Sequence, residues 1–337
     1  MGSATISSTP VKVLLASPRG FCAGVERAIE VVERALEAFG PPVYVRKEIV
    51  HNRFVVEDLK SRGAVFVEEL GEVPEGSPVI FSAHGVSPAV RREAEARKLR
   101  TIDATCPLVT KVHLEVARFL NAGCELILVG HAGHDEVVGT MGEAPDQIRL
   151  VTSVEDAARV EVAHPAKLVV LTQTTLSADD SSAIMGELRR RFPELALPPS
   201  EDICYATRSR QQAVKALARW AQVILVVGAR NSSNSIRLKE VARDAGAAAH
   251  LIDHVGDVDW NWLKGAETVG ITAGASAPER VVRELINTIL FRYGGELEEV
   301  SSAPETTRFF LPSELEAAMK ARRPVAAPRE AIASRKD

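Results

Sequence analysis

No run of apolar residues in the 337-residue chain comes near the ~20 needed to cross a bilayer; stretches such as Leu126 to Val129 and Val223 to Val227 are among the longest. The sequence therefore predicts no membrane span. No charge of one sign dominates either: 41 Lys and Arg face 45 Asp and Glu, for a formal charge of −4, so nucleic acid is not an expected partner and any ligand must be recognised locally. Cysteine is sparse, with four residues and no Cys-x-x-Cys pair. The first ten residues lack both the basic cluster and the apolar run of a secretory signal, so the expected setting is the reducing cytoplasm, where disulfides are poor candidates. Each cysteine then needs its own explanation.

What is present is an ordinary globular mix, 46% apolar and 26% charged, on a chain long enough for two or three compact units. Short β-branched runs (11–15, 43–45, 78–81, 125–129, 167–171, 223–227 and 268–272) alternate with amphipathic segments, which predicts an α/β fold with largely parallel sheets. Between the first two runs, Val25, Ala28, Ile29, Val32, Leu36 and Phe39 recur at helical spacing until Gly40-Pro41-Pro42 stops them. Cys22, Cys106 and Cys204 each stand after a short extended run and before a helix, 84 and 98 residues apart. That spacing predicts three similar α/β units, each offering one cysteine from the carboxyl end of a strand, where open sheets place ligands. The expected units are 11–106, whose opening strand is free to pack with the third, then 107–200 and 201–300. A flexible start, 1–10, and a partly disordered extension, 301–337, flank them; Pro324 and Pro328 end its one helical stretch. Cys124 opens an apolar strand and reads as core.

Three isolated loop thiols admit independent reactive groups, a zinc site completed by histidine, or an iron-sulfur cluster with one iron left open. Spacing does not choose among them. His51, His84 and His134 lie in glycine- or asparagine-bearing loops, the last two after predicted strands, where imidazoles can donate to phosphate oxygens. Gly228-Ala-Arg-Asn-Ser232-Ser233-Asn234-Ser235 follows Val-Ile-Leu-Val-Val and leads into a helix, and its Asn-Ser-Ser-Asn-Ser run gives more donors than a cap needs and hence a candidate anion cradle. Ser276 and Glu279 have the spacing of a capping box, with Pro278 in the first turn, so Ser276 serves as a cap or as a ligand contact. Neither segment is a P-loop, and Gly20-x-Cys-x-Gly24 is not the dinucleotide fingerprint. Glu136, two residues past His134, and Thr174, in Thr-Gln-Thr-Thr-Leu-Ser, complete the set as candidate proton handlers.

Taken in order, Arg-Gly-Phe-Cys22-Ala-Gly-Val, Val-His51-Asn, Ser-Ala-His84-Gly-Val, Asp-Ala-Thr-Cys106-Pro-Leu-Val, Gly-His134-Asp-Glu136-Val, Thr-Gln-Thr174-Thr-Leu-Ser, Ile-Cys204-Tyr-Ala-Thr, Asn-Ser232-Ser233-Asn234-Ser and Gly-Ala-Ser276-Ala-Pro resemble the LytB-type 4-hydroxy-3-methylbut-2-enyl diphosphate reductases. The likeness runs from about Val11 to Leu290 and thins beyond it, to Phe309-Phe-Leu-Pro312-Ser-Glu-Leu. It implies three units around a central 4Fe-4S cluster held by Cys22, Cys106 and Cys204, with one iron open to the substrate's 4-hydroxyl. Two electrons and two protons then remove that hydroxyl as water, giving isopentenyl or dimethylallyl diphosphate at the end of the methylerythritol phosphate pathway of isoprenoid synthesis. His51, His84, His134, Ser232, Ser233, Asn234 and Ser276 would hold the diphosphate, Glu136 would supply protons, and Thr174 would contact the hydroxyl side. Because no flavin or nicotinamide fingerprint is present, the family implies an external one-electron donor such as flavodoxin or ferredoxin. One departure stands out: Asp135 occupies a position where the family often has proline. Against this reading stand a zinc-dependent hydrolase of a phosphorylated substrate and a non-catalytic phosphometabolite sensor.

Overall fold

A computed structural model describes residues 10–302 and 304–322. The expected flexible start, apart from Pro10, and the residues past Pro324 lie outside that range. Twelve strands are present among the described residues: β1 Val11–Ser17, β2 Val43–Arg46, β3 Ala64–Val67, β4 Pro78–Phe81, β5 Arg100–Asp103, β6 Glu125–Val129, β7 Ile148–Val151, β8 Leu168–Thr172, β9 Val223–Val227, β10 Ala248–Ile252, β11 Thr268–Ala273 and β12 Gly295–Ser301. They form three sheets, in the orders β10-β9-β11-β1-β12, β3-β2-β4-β5 and β7-β6-β8, and every pairing within them is parallel. The helices are α1 Ala23–Phe39, α2 Arg53–Ser61, α3 Pro88–Ala96, α4 Pro107–Asn121, α5 Asp135–Met141, α6 Val154–Arg159, α7 Ala178–Arg191, α8 Tyr205–Leu217, α9 Ser233–Asp244, α10 Glu279–Tyr293 and α11 Ser313–Arg322.

The architecture is the α/β one the alternation implies, because parallel strands covered on both faces must be apolar throughout. All five residues of β9 are buried, as are four of five in β6, and Val25, Ala28, Val32 and Ala35 turn one face of α1 onto β2 and its neighbours. Gly40, at φ 76°, ends that helix in a backbone region side chains disfavour. β1 lies between β11 and β12, so the first and last described strands share one sheet. The segment after β12 then crosses to the sheet that contains β2 and β5, where Leu315 is fully buried among Val25, Ala28 and Ile102, with Leu311 and Met319 against the same cluster. A buried leucine contributes about 1.5–3 kcal/mol, enough to hold such a crossing in place. None of the described helices is long and apolar enough to span a membrane.

Candidate active site

Cys22, Cys106 and Cys204 are the residues immediately before α1, α4 and α8, so three helices from three parts of the chain begin at three thiols. All three line one pocket. Each cysteine amide is tied across the pocket to a loop carrying a second candidate residue. Cys22 N–H donates to the Ala275 carbonyl at 3.3 Å, beside Ser276; Cys106 N–H to Ala83 at 3.0 Å, beside His84; and Cys204 N–H to Thr174 itself at 3.0 Å. Gly24 makes the thiols' approach possible, because a Cβ there would lie 2.7 Å from Cys106 Sγ and 3.8 Å from Cys22 Sγ. Burial pushes the Cys106 thiol up to about 12 and the Cys204 thiol up to about 11, with the neighbouring thiols adding to the shift. Thiolates are therefore disfavoured here unless a positive centre joins them, which is the chemistry of a metal-binding donor set.

The pocket also gathers His51, His84, His134, Glu136, Thr174, Ser232, Ser233, Asn234 and Ser276. The rings of His51 and His84 stack at 4.1 Å between centroids, and His134 meets them edge-on at 5.4 and 5.8 Å. Burial, then the other imidazoles, holds His84 well below its ordinary value and His134 down to about 4. His134 Nδ1 accepts from the Glu136 amide at 3.2 Å, which leaves Nε2 as the protonated nitrogen of the neutral ring. Ser232 caps α9, its hydroxyl accepting from Ser235 N–H. Asn234 has buried amide nitrogen and oxygen atoms with no partner among the described residues, a costly arrangement that a polar ligand would relieve. His51, His84 and Asp135 bring one ligand atom each within 4.8 Å of one another, but Asp135 is already paired with Lys47.

Glu136 is 4% exposed, and Thr174 binds both of its oxygens, the amide at 2.7 Å and the hydroxyl at 2.9 Å. Burial raises its carboxyl, and the two Thr174 hydrogen bonds act against that rise. Such a group can hold a proton nearer neutrality than a solvated carboxylate does.

Two local expectations change. Ser276 forms no capping box: Pro278 precedes α10, and the Ser276 hydroxyl instead donates to the His51 carbonyl at 2.9 Å, joining two sides of the pocket. Cys204 follows coil rather than a strand, since β8 ends at Thr172 and α7 intervenes. Cys124 packs against the β6 core, away from the pocket. His113 is bonded to Glu143 at 2.7 Å, and His250 stacks on Trp262. Sequence reasoning passed over Glu48, although it stands three residues before His51 in the same loop, and it placed Asn231 in the Asn-Ser-Ser-Asn-Ser cradle without seeing that its amide donates to Glu48.

Three thiols, three imidazoles and a set of unpartnered polar atoms around one pocket at the junction of three parallel sheets define an α/β protein with a cysteine-lined small-molecule site. Comparison with known proteins makes the assignment specific. The family model described as LytB protein matches residues 13–290, and the chain belongs to that family. It is 56% identical over 307 residues to a 4-hydroxy-3-methylbut-2-enyl diphosphate reductase of Azoarcus sp. (strain BH72), covering 91% of this chain and 98% of that one. A reductase of the same name from Acidothermus cellulolyticus is 56% identical over 312 residues, 92% of each chain. Among solved structures, the E-1-hydroxy-2-methyl-but-2-enyl-4-diphosphate reductase from Plasmodium falciparum superposes with a TM-score of 0.91 at 39% identity, over 93% of this chain and 99% of that one.

Proposed function

We propose that this protein reduces (E)-4-hydroxy-3-methylbut-2-enyl diphosphate to isopentenyl and dimethylallyl diphosphate, through a 4Fe-4S cluster held by Cys22, Cys106 and Cys204, in the cytoplasm and with electrons from an external carrier such as flavodoxin or ferredoxin. The observation that carries the reading is the convergence, in one pocket, of three thiols, the Glu136–Thr174 pair and the orphaned Asn234 amide. Three ligands rather than four suit a cluster that must also meet a substrate. When bound, it supplies the electrons and a Lewis-acidic iron for breaking the C–O bond.

The chain's own residues do the rest. The hydroxyls of Ser232 and Ser233, the Asn234 amide and the three histidines bind the diphosphate, fixing the carbon chain toward the thiols, and the Ser276 hydroxyl joins them by turning from the His51 carbonyl to which it now donates. Glu136 holds the proton that leaves with the hydroxyl oxygen. Thr174 keeps that carboxyl in place through its amide, and its hydroxyl, now donated to Glu136 Oε2, is positioned to turn to the substrate hydroxyl. The apolar wall of Val25, Val50 and Val109 keeps bulk water from competing for that proton.

Anaerobic purification followed by an absorption spectrum and iron and sulfide analysis tests the reading. Roughly four irons and four sulfides per chain are expected, lost in Cys22→Ser, Cys106→Ser and Cys204→Ser but kept in Cys124→Ser. A colourless protein holding zinc, or one that gains no iron on reconstitution, would refute it.

A further inference from the structure

None of the described residues lining the pocket is lysine or arginine. A diphosphate brings several negative charges, so if the pocket offers a full positive charge, that charge must sit on a histidine. Three are present, and their surroundings differ. His84 and His134 are both held below their ordinary values by burial, and His134 Nδ1 is committed as an acceptor to the Glu136 amide. His51 alone of the three has a carboxylate hydrogen-bonded to its ring: its Nδ1 lies 3.0 Å from Glu48 Oε2, while the Asp135 carboxylate, within 4.8 Å of ring nitrogens of both His51 and His84, is engaged by Lys47. An ionised carboxylate only accepts, so Nδ1 carries the proton and Nε2 is left for the pocket. The hydrogen bond from His51 is in turn the chief reason Glu48 lies below the usual carboxylate range.

The groups facing His51 favour a single cation. His84 stacks on it at 4.1 Å and His134 meets its edge at 5.4 Å, so a second imidazolium would be repelled. Lys47, on the same loop and close enough to disfavour the charged form of His84, is engaged by Asp135. Glu48 also accepts from Asn231 Nδ2 at 2.9 Å, which fixes the carboxylate from the loop before α9.

We propose that Glu48 is a positioning residue for substrate binding: it holds one proton on His51 Nδ1 and supports a second on Nε2 when a diphosphate arrives, making His51 the pocket's one cation. The proposal rests on the diphosphate reading of the site. The imidazolium then lies between two anions, donating to both, in the arrangement that makes charge-assisted hydrogen bonds short and strong.

Glu48→Gln tests this, because the amide oxygen can still accept from His51 and Asn231 while the charge is gone. Binding of inorganic diphosphate to the anaerobic holoenzyme is measured by calorimetry at pH 7.5 in two buffers of different ionisation heat, which gives both affinity and proton uptake. Diphosphate's own protonation is common to all proteins compared. The wild type is expected to bind about tenfold more tightly than Glu48→Gln, the scale of one charge-assisted hydrogen bond, and to take up more protons on binding. In a His51→Gln background the same Glu48→Gln change is expected to alter neither quantity. Asn231→Ala, which loosens the carboxylate without removing its charge, is expected to retain the uptake. Equal affinity and equal uptake in wild type and Glu48→Gln would overturn the proposal alone; a wild type that binds no diphosphate would overturn it together with the reading it rests on.

Discussion

Arg210 touches none of the candidate ligands' side chains, yet the cysteine site should fail without it. It is fully buried in α8. Its Nε and Nη2 donate to the Gly20 carbonyl at 3.1 and 2.7 Å, Nη2 also to Phe21 at 3.1 Å, and Nη1 to Ala206 at 3.1 Å and Glu305 Oε1 at 2.7 Å. One guanidinium thus fastens the turn before Cys22 to the helix that begins after Cys204, and the segment after β12 supplies its counter-ion. Arg210→Met keeps the apolar stem and removes every donor. Breaking a buried ion pair costs about 3–5 kcal/mol. Glu305, with a side chain 17% exposed, regains some hydration, which puts the expected loss near the lower end, about 3 kcal/mol. Urea unfolding of the metal-free protein should show that loss as a lower midpoint, and Arg210→Lys, able to reach Glu305 but not both carbonyls, should fall between. Iron uptake should drop in the methionine variant as well, since Cys22 directly follows the two released carbonyls. Stability within about 0.5 kcal/mol of wild type, with full iron loading, would refute the reasoning.

Glu136→Gln keeps the size of the side chain and removes the acidic proton; turnover is expected to fall about 100-fold or more while iron content stays at the wild-type level, and normal turnover would exclude Glu136 as proton source. Gly24→Ala puts a methyl 2.7 Å from Cys106 Sγ in a helix where alanine is intrinsically favoured by about 1 kcal/mol, so melting temperature should hold while iron loading is lost; full loading would show that the thiols have slack. Glu115 gives a pH signature: burial, then Asp202, pushes its carboxyl up to about 7 against the pull of Lys111. The fold therefore prefers Glu115 protonated. That contribution is present below the ordinary value of 4.5 and is lost as pH rises through about 7. Urea midpoints between pH 5 and 8 should fall less steeply in Glu115→Gln, and an identical slope would refute the assignment.

Seven of the twelve described strands were legible as short β-branched or apolar runs, β9, Val223–Val227, with every residue buried, being the clearest example, whereas β12, Gly295–Ser301, is exposed and acidic and carries no such pattern. The candidate site was legible because its residues sit in words whose composition exceeds local need. Ser232 suffices to cap α9, so Ser233 and Asn234 called for another purpose, and Asn234 stands with both amide atoms unpartnered. Ser276 misled for the opposite reason: a serine, a proline and a glutamate fit a capping box, and only tertiary contact reveals that the hydroxyl is spent on the His51 carbonyl. Arg210 was not legible at all, and Glu48 only through its place three residues before His51. Each draws its meaning from residues far off in the chain, Glu305 and Gly20 in one case and Asn231 in the other, and a solvated arginine or glutamate looks the same in sequence.

The backbone contacts explain why the thiols and the other pocket residues need not be placed separately. Cys22, Cys106 and Cys204 each donate an amide to the loop that bears Ser276, His84 or Thr174, and Ser276 returns to the His51 carbonyl. A displaced cysteine loop must therefore carry one of these candidate substrate contacts with it. Since buried amides left unpaired cost about 1–3 kcal/mol each, the loops move together or pay that penalty three times over. Accuracy at the pocket is thus a property of the junction between the three sheets, secured from behind by Arg210 and, in the role proposed for it, from the rim by Glu48.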